Sequence, residues 1–373
     1  MKVVVLGGAG VMGGRAVEDL ASSPGVDMIT VADRDTGRAQ ALAESNPAGP
    51  AVLKVQEVDA TDHASLVGVM RGHDVAASAL GPFYLFESRL VAAALEAGTD
   101  YVSICDDWSA TQDVFMRFDG PARDRGVAIV TGSGASPGLS DMGVRYLADR
   151  LDSAEKVDIN VYVPMESREG EATIMHALFV YGTTVPVFQD GTTQMLAAGA
   201  ESWPVEFPAV GQIKVYNVGH SEPVTIPRYL PGVRDINMMM GLGRGTGALV
   251  AAGRLGAYKS PRRRELLSRY YVRLTDSKSR PAEQLEGAIR LDVTGALEGR
   301  TVTLMGCGTC SMRDSTGLGL SVGTMLVGSD RLTHRGGVFA PEGCFDPETF
   351  LRMVDAKGVT VYSDLAMTNR LLD

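Results

Sequence analysis

The sequence predicts an α/β protein, with a doubly wound parallel sheet at the N-terminus and a second, mixed α+β domain after it. Short β-branched runs alternate with helical stretches through residues 1–131. A glycine-rich turn follows the first run directly. Beyond that segment the apolar pattern lengthens into alternating strands.

The short runs are Val3 to Leu6, Met28 to Ala32, Val52 to Val55, Val75 to Ala79, Tyr101 to Ile104 and Val127 to Thr131. Each is almost continuously apolar, as a strand buried on both faces must be. Val11 to Leu20, Gly37 to Ala43, Ala64 to Met70, Glu87 to Ala97 and Asp113 to Arg123 carry apolar residues at helical spacing between them. The alternation ends in the small-residue hinge Thr131 to Gly138, where Ser136 is expected to cap a helix from Pro137 to Asp149. Residues 132–325 then read as a mixed α+β substrate domain. Val157 to Val163 and Ile213 to Val218 are strands there, and Ala288 to Thr294 pairs with Thr301 to Met305 as a hairpin. The tail, a helix from Pro347 to Ala356 and a strand Val359 to Val361, is expected to return, so that residues 326–373 complete the first domain.

A chain of 373 residues is long enough for two cores. Its formal net charge of −10 repels phosphate backbones, which argues against nucleic acid as a partner. No apolar run reaches the roughly 18 residues of a membrane span. The first strand starts at once, which leads to the expectation of no leader peptide and a cytoplasmic address. Cys307 and Cys310 form a C-x-x-C pair. Two further ligands at zinc spacing are missing nearby, so no metal is expected and reduced cysteines in or near a core are the simpler reading.

The strongest motif is Gly8-Ala9-Gly10-Val11-Met12-Gly13, placed after a strand and opening a helix. In a Rossmann domain Gly8 permits the tight turn, Gly10 lets a pyrophosphate approach the backbone and Gly13 lets helix and strand pack closely. The second strand ends at Asp33, whose carboxylate can bind adenosine ribose hydroxyls and repel a 2′-phosphate. Arg34 beside it can stack on adenine or pair with that phosphate, so NAD is expected and NADP is possible. Asp59, after the third strand, contacts the adenine edge or caps the next helix. Leu80, Gly81 and Pro82 end the fourth strand, where backbone passes close to a nicotinamide. Phe83 or Tyr84 forms a ring wall there or packs the start of a helix. Asp106 and Asp107 follow the fifth strand; one of them touches substrate or caps the helix that follows.

The segments VVVLGGAGVMG, GPF with AALEAGTDYVSI, GVAIVTGSGASPGLSD, and DSTGLGLSVGTMLV with GVFAPE occur in this order over nearly the whole chain. In these segments the sequence resembles the saccharopine dehydrogenase (saccharopine reductase) and lysine 6-dehydrogenase family. The resemblance implies a Rossmann domain completed by the C-terminus, an inserted domain that closes the active site, and a homodimer. It also implies interconversion of an amine and an imine on an amino-acid or amine substrate, with NAD or NADP. One departure is Ser103, where the family often carries Asp.

Such chemistry needs a group that manages protons on the substrate nitrogen. The candidates are Asp107, Tyr84, Asp141 and His176. His176 lies in an otherwise apolar helix-like stretch, where it serves the chemistry or fills a core. Arg168 can clamp a substrate carboxylate or lie on the surface, with Asp106 beside the substrate. His220 and Glu222 are weaker entries of the same kind, and Met238 to Met240 read as core or interface filler. The alternatives are a reductase of another carbonyl or imine on the same fold, and a sensor or scaffold that holds NAD without turnover.

Overall fold

The computed structural model describes residues 1–46, 49–164, 170–243, 245–275, 286–329, 331–333 and 335–373. The first elements are β1 (Lys2–Leu6), α1 (Val11–Ser22), β2 (Met28–Asp33), α2 (Thr36–Ser45), β3 (Val52–Glu57) and α3 (His63–Met70). They continue as β4 (Val75–Ser78), α4 (Phe83–Ala97), β5 (Asp100–Ser103), α5 (Trp108–Arg125) and β6 (Ala128–Thr131). Next come α6 (Leu139–Ala148), β7 (Ser153–Tyr162), α7 (Gly170–Val180), β8 (Thr184–Gln189), β9 (Thr192–Ala197), β10 (Ser202–Phe207) and β11 (Gly211–Asn217). The chain goes on through α8 (Glu222–Tyr229), β12 (Asp235–Gly241), α9 (Thr246–Arg254), α10 (Pro261–Thr275), β13 (Glu286–Leu297) and β14 (Arg300–Ser311). The last elements are α11 (Met312–Gly328), β15 (Gly337–Phe339), α12 (Pro341–Cys344) and α13 (Pro347–Asp355). Among the described residues no helix is long and apolar enough to cross a membrane.

The chain divides into two compact units. The first comprises Met1–Leu139 and Arg313–Phe350, the second Ser140–Met312 and Leu351–Asp373. The first unit is the Rossmann sheet, with seven described strands in the order β15-β6-β5-β4-β1-β2-β3, all parallel. The order reverses between β1 and β4, which makes the carboxyl ends of those strands the natural crevice of a doubly wound sheet. Val3 to Leu6 of β1 are completely buried, as the unbroken apolar run requires.

Helix α11 is buried nearly all round: Gly317 faces α1 at Met12 and Arg15, and Gly319 and Gly323 face the turn at Ser133 and Gly134. A methyl group added at Gly319 would collide with the backbone oxygen of Gly134, and Ser133 Oγ donates to the Gly319 carbonyl at 3.0 Å. The glycines bring helix backbone against turn backbone. Ion pairs then fix the outer end of the helix: Arg313 to Glu18 at 2.6 Å and Arg15 to Asp314 at 2.6 Å.

The second unit holds a mixed sheet in the order β10-β11-β12-β7-β13-β14, with β8 pairing β12 and β9. β7 and β12 run parallel and the other pairs antiparallel, so this sheet is not the purely antiparallel one that alternation alone implies. Strand alternation still sorts the faces. Val157, Ile159 and Val161 enter a core with Val144, Leu147 and Ile226, whereas Lys156, Asp158 and Asn160 line a polar groove of about 420 Å³. Met238 and Met239 likewise belong to different core clusters. The hairpin of β13 and β14 turns at Glu298-Gly299, both at positive φ (50° and 71°), the form a two-residue turn favours.

Three expectations are corrected. The tail divides: β15 pairs with β6 in the first unit, while residues 351–373 belong to the second. No strand forms over Val359 to Val361, where a single bridge joins Tyr362 to Cys307. Pro137 also does not open a helix. Gly134 N–H donates to the Pro137 carbonyl and Leu139 N–H to that of Gly134, closing a turn before α6 begins at Leu139.

Within the first unit a carboxylate is buried completely. Glu87, on α4, accepts hydrogen bonds from Tyr101 Oη (2.9 Å) and Ser103 Oγ (2.5 Å) on β5, and from Thr131 Oγ1 (3.4 Å) on β6. Burial outweighs these hydroxyl donors and pushes its pKa up to about 7.

Two predictions follow from this packing. Replacing Gly319 by Ala lowers stability by about 2 kcal/mol, because overpacking costs more than the ~1 kcal/mol that alanine gains in a helix; denaturant midpoints read the sign. For Glu87 the unfolded chain releases its proton near the ordinary value of 4.5 while the folded chain keeps it to about 7. Its contribution is therefore complete below the ordinary value and fades as pH rises through the folded one, by up to about 3 kcal/mol. Glu87→Gln flattens the pH profile of the melting temperature between about pH 5 and pH 8; parallel profiles would refute the assignment.

Candidate functional site

The carboxyl edge of the Rossmann sheet gathers most of the residues expected to hold a dinucleotide. β1 leads into a turn held by Gly7 N–H on the Ala32 carbonyl (2.9 Å) and Gly10 N–H on the Gly7 carbonyl (3.0 Å). The positive φ of this turn belongs to Gly7 (72°) rather than to Gly8, whose missing side chain instead makes room for Val5 and Val31. At Gly13 a methyl would collide with the Gly7 carbonyl oxygen, so helix and strand touch only because hydrogen stands there. Gly10 caps α1 without a side-chain hydrogen bond, and the first turn has no acidic residue. Gly10 is exposed, and Val11 and Met12 are half-buried. An uncapped helix start with bare backbone N–H groups and a positive dipole end suits a pyrophosphate. These residues fit the dinucleotide that the motif implies.

Asp33 is half-buried at the end of β2. Its Oδ2 accepts from Ala9 N–H at 3.1 Å and its Oδ1 from Asp35 N–H at 3.0 Å, so the carboxylate is locked to the glycine loop. Arg34 is exposed beside it. Asp59 does not cap α3, which Asp62 does through Ala64 N–H at 2.9 Å. Asp59 accepts from Thr61 Oγ1 (2.7 Å) and Thr61 N–H (2.8 Å), and these bonds lower its pKa.

Leu80, Gly81 and Pro82 join β4 to α4, with Leu80 N–H on Ser78 Oγ at 3.3 Å and Pro82 as the helix cap residue. Phe83 packs with Cys105 and Ala110, which makes it core and no ring wall. Tyr84 stands in the first turn of α4, half-buried. Asp106 is half-buried after β5. Asp107 is fully buried and caps α5: its Oδ1 accepts from Ser109 Oγ (2.8 Å), Ser109 N–H (3.2 Å) and Ala110 N–H (3.5 Å). That oxygen is occupied by structure, and of the two carboxylates Asp106 is the one outside the cap. Glu87, placed behind this edge, escaped the sequence analysis. It reads as an ordinary helix glutamate, and its partners arrive only with β5 and β6.

In the second unit Asp141 lies in the first turn of α6, with no exposed surface. Its neighbour Ser140 reaches Asp141 Oδ1 at 3.5 Å and donates to Glu222 Oε1 at 3.3 Å. Glu222, at the start of α8, meets His220 Nδ1 with its Oε2 at 2.7 Å. The His176 ring, on α7, stands edge-on to the His220 ring at 5.9 Å between centroids. Asp141 and His176 thus join one buried chain through Ser140, Glu222 and His220, and the weaker pair of candidates forms its middle. Arg168 lies outside the described residues. Cys307 and Cys310 stand three apart on β14, so they face opposite sides of the sheet, and neither forms a disulfide among the described residues.

Residues 3–130 match the family described as the saccharopine dehydrogenase NADP binding domain. A Mycobacterium tuberculosis protein, provisionally named a trans-acting enoyl reductase, is 29% identical over 164 residues. That stretch covers 43% of this chain and 39% of the relative, so the chain spans well under half of that protein's length. Among solved structures, the saccharopine dehydrogenase (L-Glu forming) of Saccharomyces cerevisiae superposes with a TM-score of 0.68 at 16% identity, covering 96% of this chain and 99% of that one. The amine dehydrogenase of Mycobacterium smegmatis gives a TM-score of 0.53 at 11% identity, covering 93% and 98%. Residues 3–130 thus match the saccharopine dehydrogenase NADP binding domain, and the chain as a whole has the saccharopine dehydrogenase fold.

Proposed function

We propose that the protein transfers a hydride between a nicotinamide dinucleotide and the amine- or imine-bearing carbon of an amino-acid-like substrate. The observation that carries this reading is the carboxyl edge of the parallel sheet, where the uncapped start of α1, the glycine loop and Asp33 converge. When bound, the dinucleotide supplies the two-electron donor or acceptor. The chain's own residues do the rest. The first-turn N–H groups of α1 would hold the pyrophosphate and Asp33 would receive the adenosine ribose, with the Leu80, Gly81 and Pro82 backbone lying at the same edge.

The names of the yeast and M. smegmatis structures support an amine or amino-acid substrate, as do the sequence segments shared with saccharopine and lysine 6-dehydrogenases. A pure sensor has no use for Asp141, Glu222 and His220 in a protein interior, where ionisable groups cost several kcal/mol unless paired. The M. tuberculosis relative favours a second reading, hydride transfer to a C=C or C=O bond on the same fold.

The cofactor preference follows from Asp33, whose charge is fixed in place by Ala9 and so repels a 2′-phosphate. NAD(H) is expected to raise the melting temperature more than NADP(H). Asp33→Ser weakens NADH binding about tenfold, the value of one charged hydrogen bond, and narrows the gap to NADPH. A stronger response to NADPH in the unsubstituted protein would give the site to Arg34 instead.

Substrate class is read by following NADH at 340 nm with pooled amino acids and amines, with preformed imines, and with enoyl thioesters and ketones. Turnover on the amine and imine set is expected. Turnover confined to enoyl thioesters or ketones establishes the second reading, and saturable dinucleotide binding with no turnover on any set overturns both.

A further inference from the structure

We propose that the polar groove of the second unit's sheet is a binding site for a short aliphatic diamine in its doubly protonated form, an organic dication that carries N–H donors. Every residue lining the groove belongs to the second unit, so the site stands whatever reaction the dinucleotide edge serves.

The groove follows from strand alternation. β12, β7 and β13 lie side by side, and their register sets Asn237 beside Asp158, Asp158 beside Asp292 and Asn160 beside Arg290. These residues line the groove from the sheet, and β10 adds Trp203 and Glu206, around a space of about 420 Å³. A space of that size takes a small organic molecule. The cationic side chains are already engaged, and so is Asn237. Lys156 Nζ pairs with Asp158 Oδ2 at 2.8 Å, and Asn237 Nδ2 donates to Asp158 Oδ1 at 2.7 Å. Arg290 gives Nε to Asp292 Oδ2 at 2.8 Å, one terminal nitrogen to Asp292 Oδ1 at 3.2 Å and the other to the Glu206 carbonyl at 3.2 Å. Asn160 is left over. It is 2% exposed, and among the described residues its Oδ1 has no donor.

A buried polar atom without a partner is rare in a folded chain, because it loses its hydration and gains nothing in return. A carbonyl oxygen only accepts, so what completes Asn160 Oδ1 is an N–H or O–H brought from outside. Charge narrows the choice. Four carboxylates line the groove, Asp158, Asp292, Glu201 and Glu206, against two cationic side chains, Lys156 and Arg290. Glu206 is exposed, and Glu201 accepts from Gln189 Nε2 at 3.1 Å; among the described residues neither is paired with a cation. The surplus is negative, which favours a dication and repels a phosphate or a carboxylate. Trp203 adds an aromatic surface, which attracts an ammonium ion. A metal ion is a poorer match, since among the described residues no three of these carboxylates bring oxygens within 4.8 Å of one another.

The chain's two tryptophans, Trp108 and Trp203, serve as reporters, one in each unit. In ¹⁵N-labelled full-length protein, with the indole peaks assigned by Trp203→Phe, diaminobutane is expected to move the Trp203 peak saturably, with half-saturation at or below about 1 mM. Butanediol, which lacks the charge, and succinate, which reverses it, are expected to leave that peak in place. Asn160→Leu is expected to weaken binding about tenfold, the value of a hydrogen bond to a charged donor. Glu206→Gln, at an exposed position, is expected to weaken it about threefold and keeps the test open if Asn160→Leu fails to fold. An unmoved Trp108 peak in each variant shows that the fold is intact. A Trp203 peak that diaminobutane leaves fixed up to about 20 mM overturns the site. So does a shift confined to Trp108, an equal shift with butanediol or succinate, or binding that neither variant weakens. A dimer in solution that Glu206→Arg dissociates gives the groove to a second copy of the chain, and the proposal falls.

Discussion

The contact of helix α1 with the Gly7–Gly8 turn that leaves β1, possible because position 13 carries no side chain, is the constraint on which the first unit depends. It sets the shape of the loop between them and aims the helix start at the carboxyl edge. The same loop lends Ala9 N–H to Asp33, which ties the end of β2 to the end of β1 at 3.1 Å. On its outer side α1 carries α11, through Arg15, Glu18 and the buried Asp19, which accepts from Ser321 Oγ at 2.5 Å. Sheet, helix and second helix therefore share a single reference position. A shift of α1 would move Asp33 and the glycine loop together.

Much of this was legible in the sequence, for a physical reason. The glycine motif, Asp33 and the strand runs are local: fixed spacing along the chain determines which backbone groups meet. Asp107 was half legible, because a carboxylate before a helix either caps it or serves chemistry, and only the distances to Ser109 and Ala110 decide. Glu87 was invisible. Its three hydroxyl partners come from strands 14 to 44 residues away, and nothing in α4 announces them. His220 and Glu222 were visible as a pair. Their rank was not, since Ser140 and His176 reach them only through the fold. The division of the tail was missed because its decisive contacts are backbone ones, Tyr362 on Cys307 and β15 on β6, to which side-chain pattern is blind.

The two fully buried glutamates show how surroundings separate function from support. Glu87 faces hydroxyl donors and no base, so burial holds its proton to near-neutral pH and it serves as a neutral strut between α4, β5 and β6. Glu222 instead meets the His220 imidazole, Oε2 to Nδ1 at 2.7 Å. In each case one residue type meets the cost of burial by a different route, and the partner decides which.

The interleaving of the two units has a consequence for how the molecule comes into being. Residues 313–350 supply the first unit with α11 and β15, and residues 351–373 supply the second. A ribosome delivers the chain from its N-terminus, so the dinucleotide-binding sheet emerges early with the flank of β6 unpaired and the outer side of α1 bare. It must wait in that state while residues 140–312 of the second unit are made. The first unit can close once residue 350 has emerged and the second only with residues 351–373, so the two are completed one directly after the other in the order of translation.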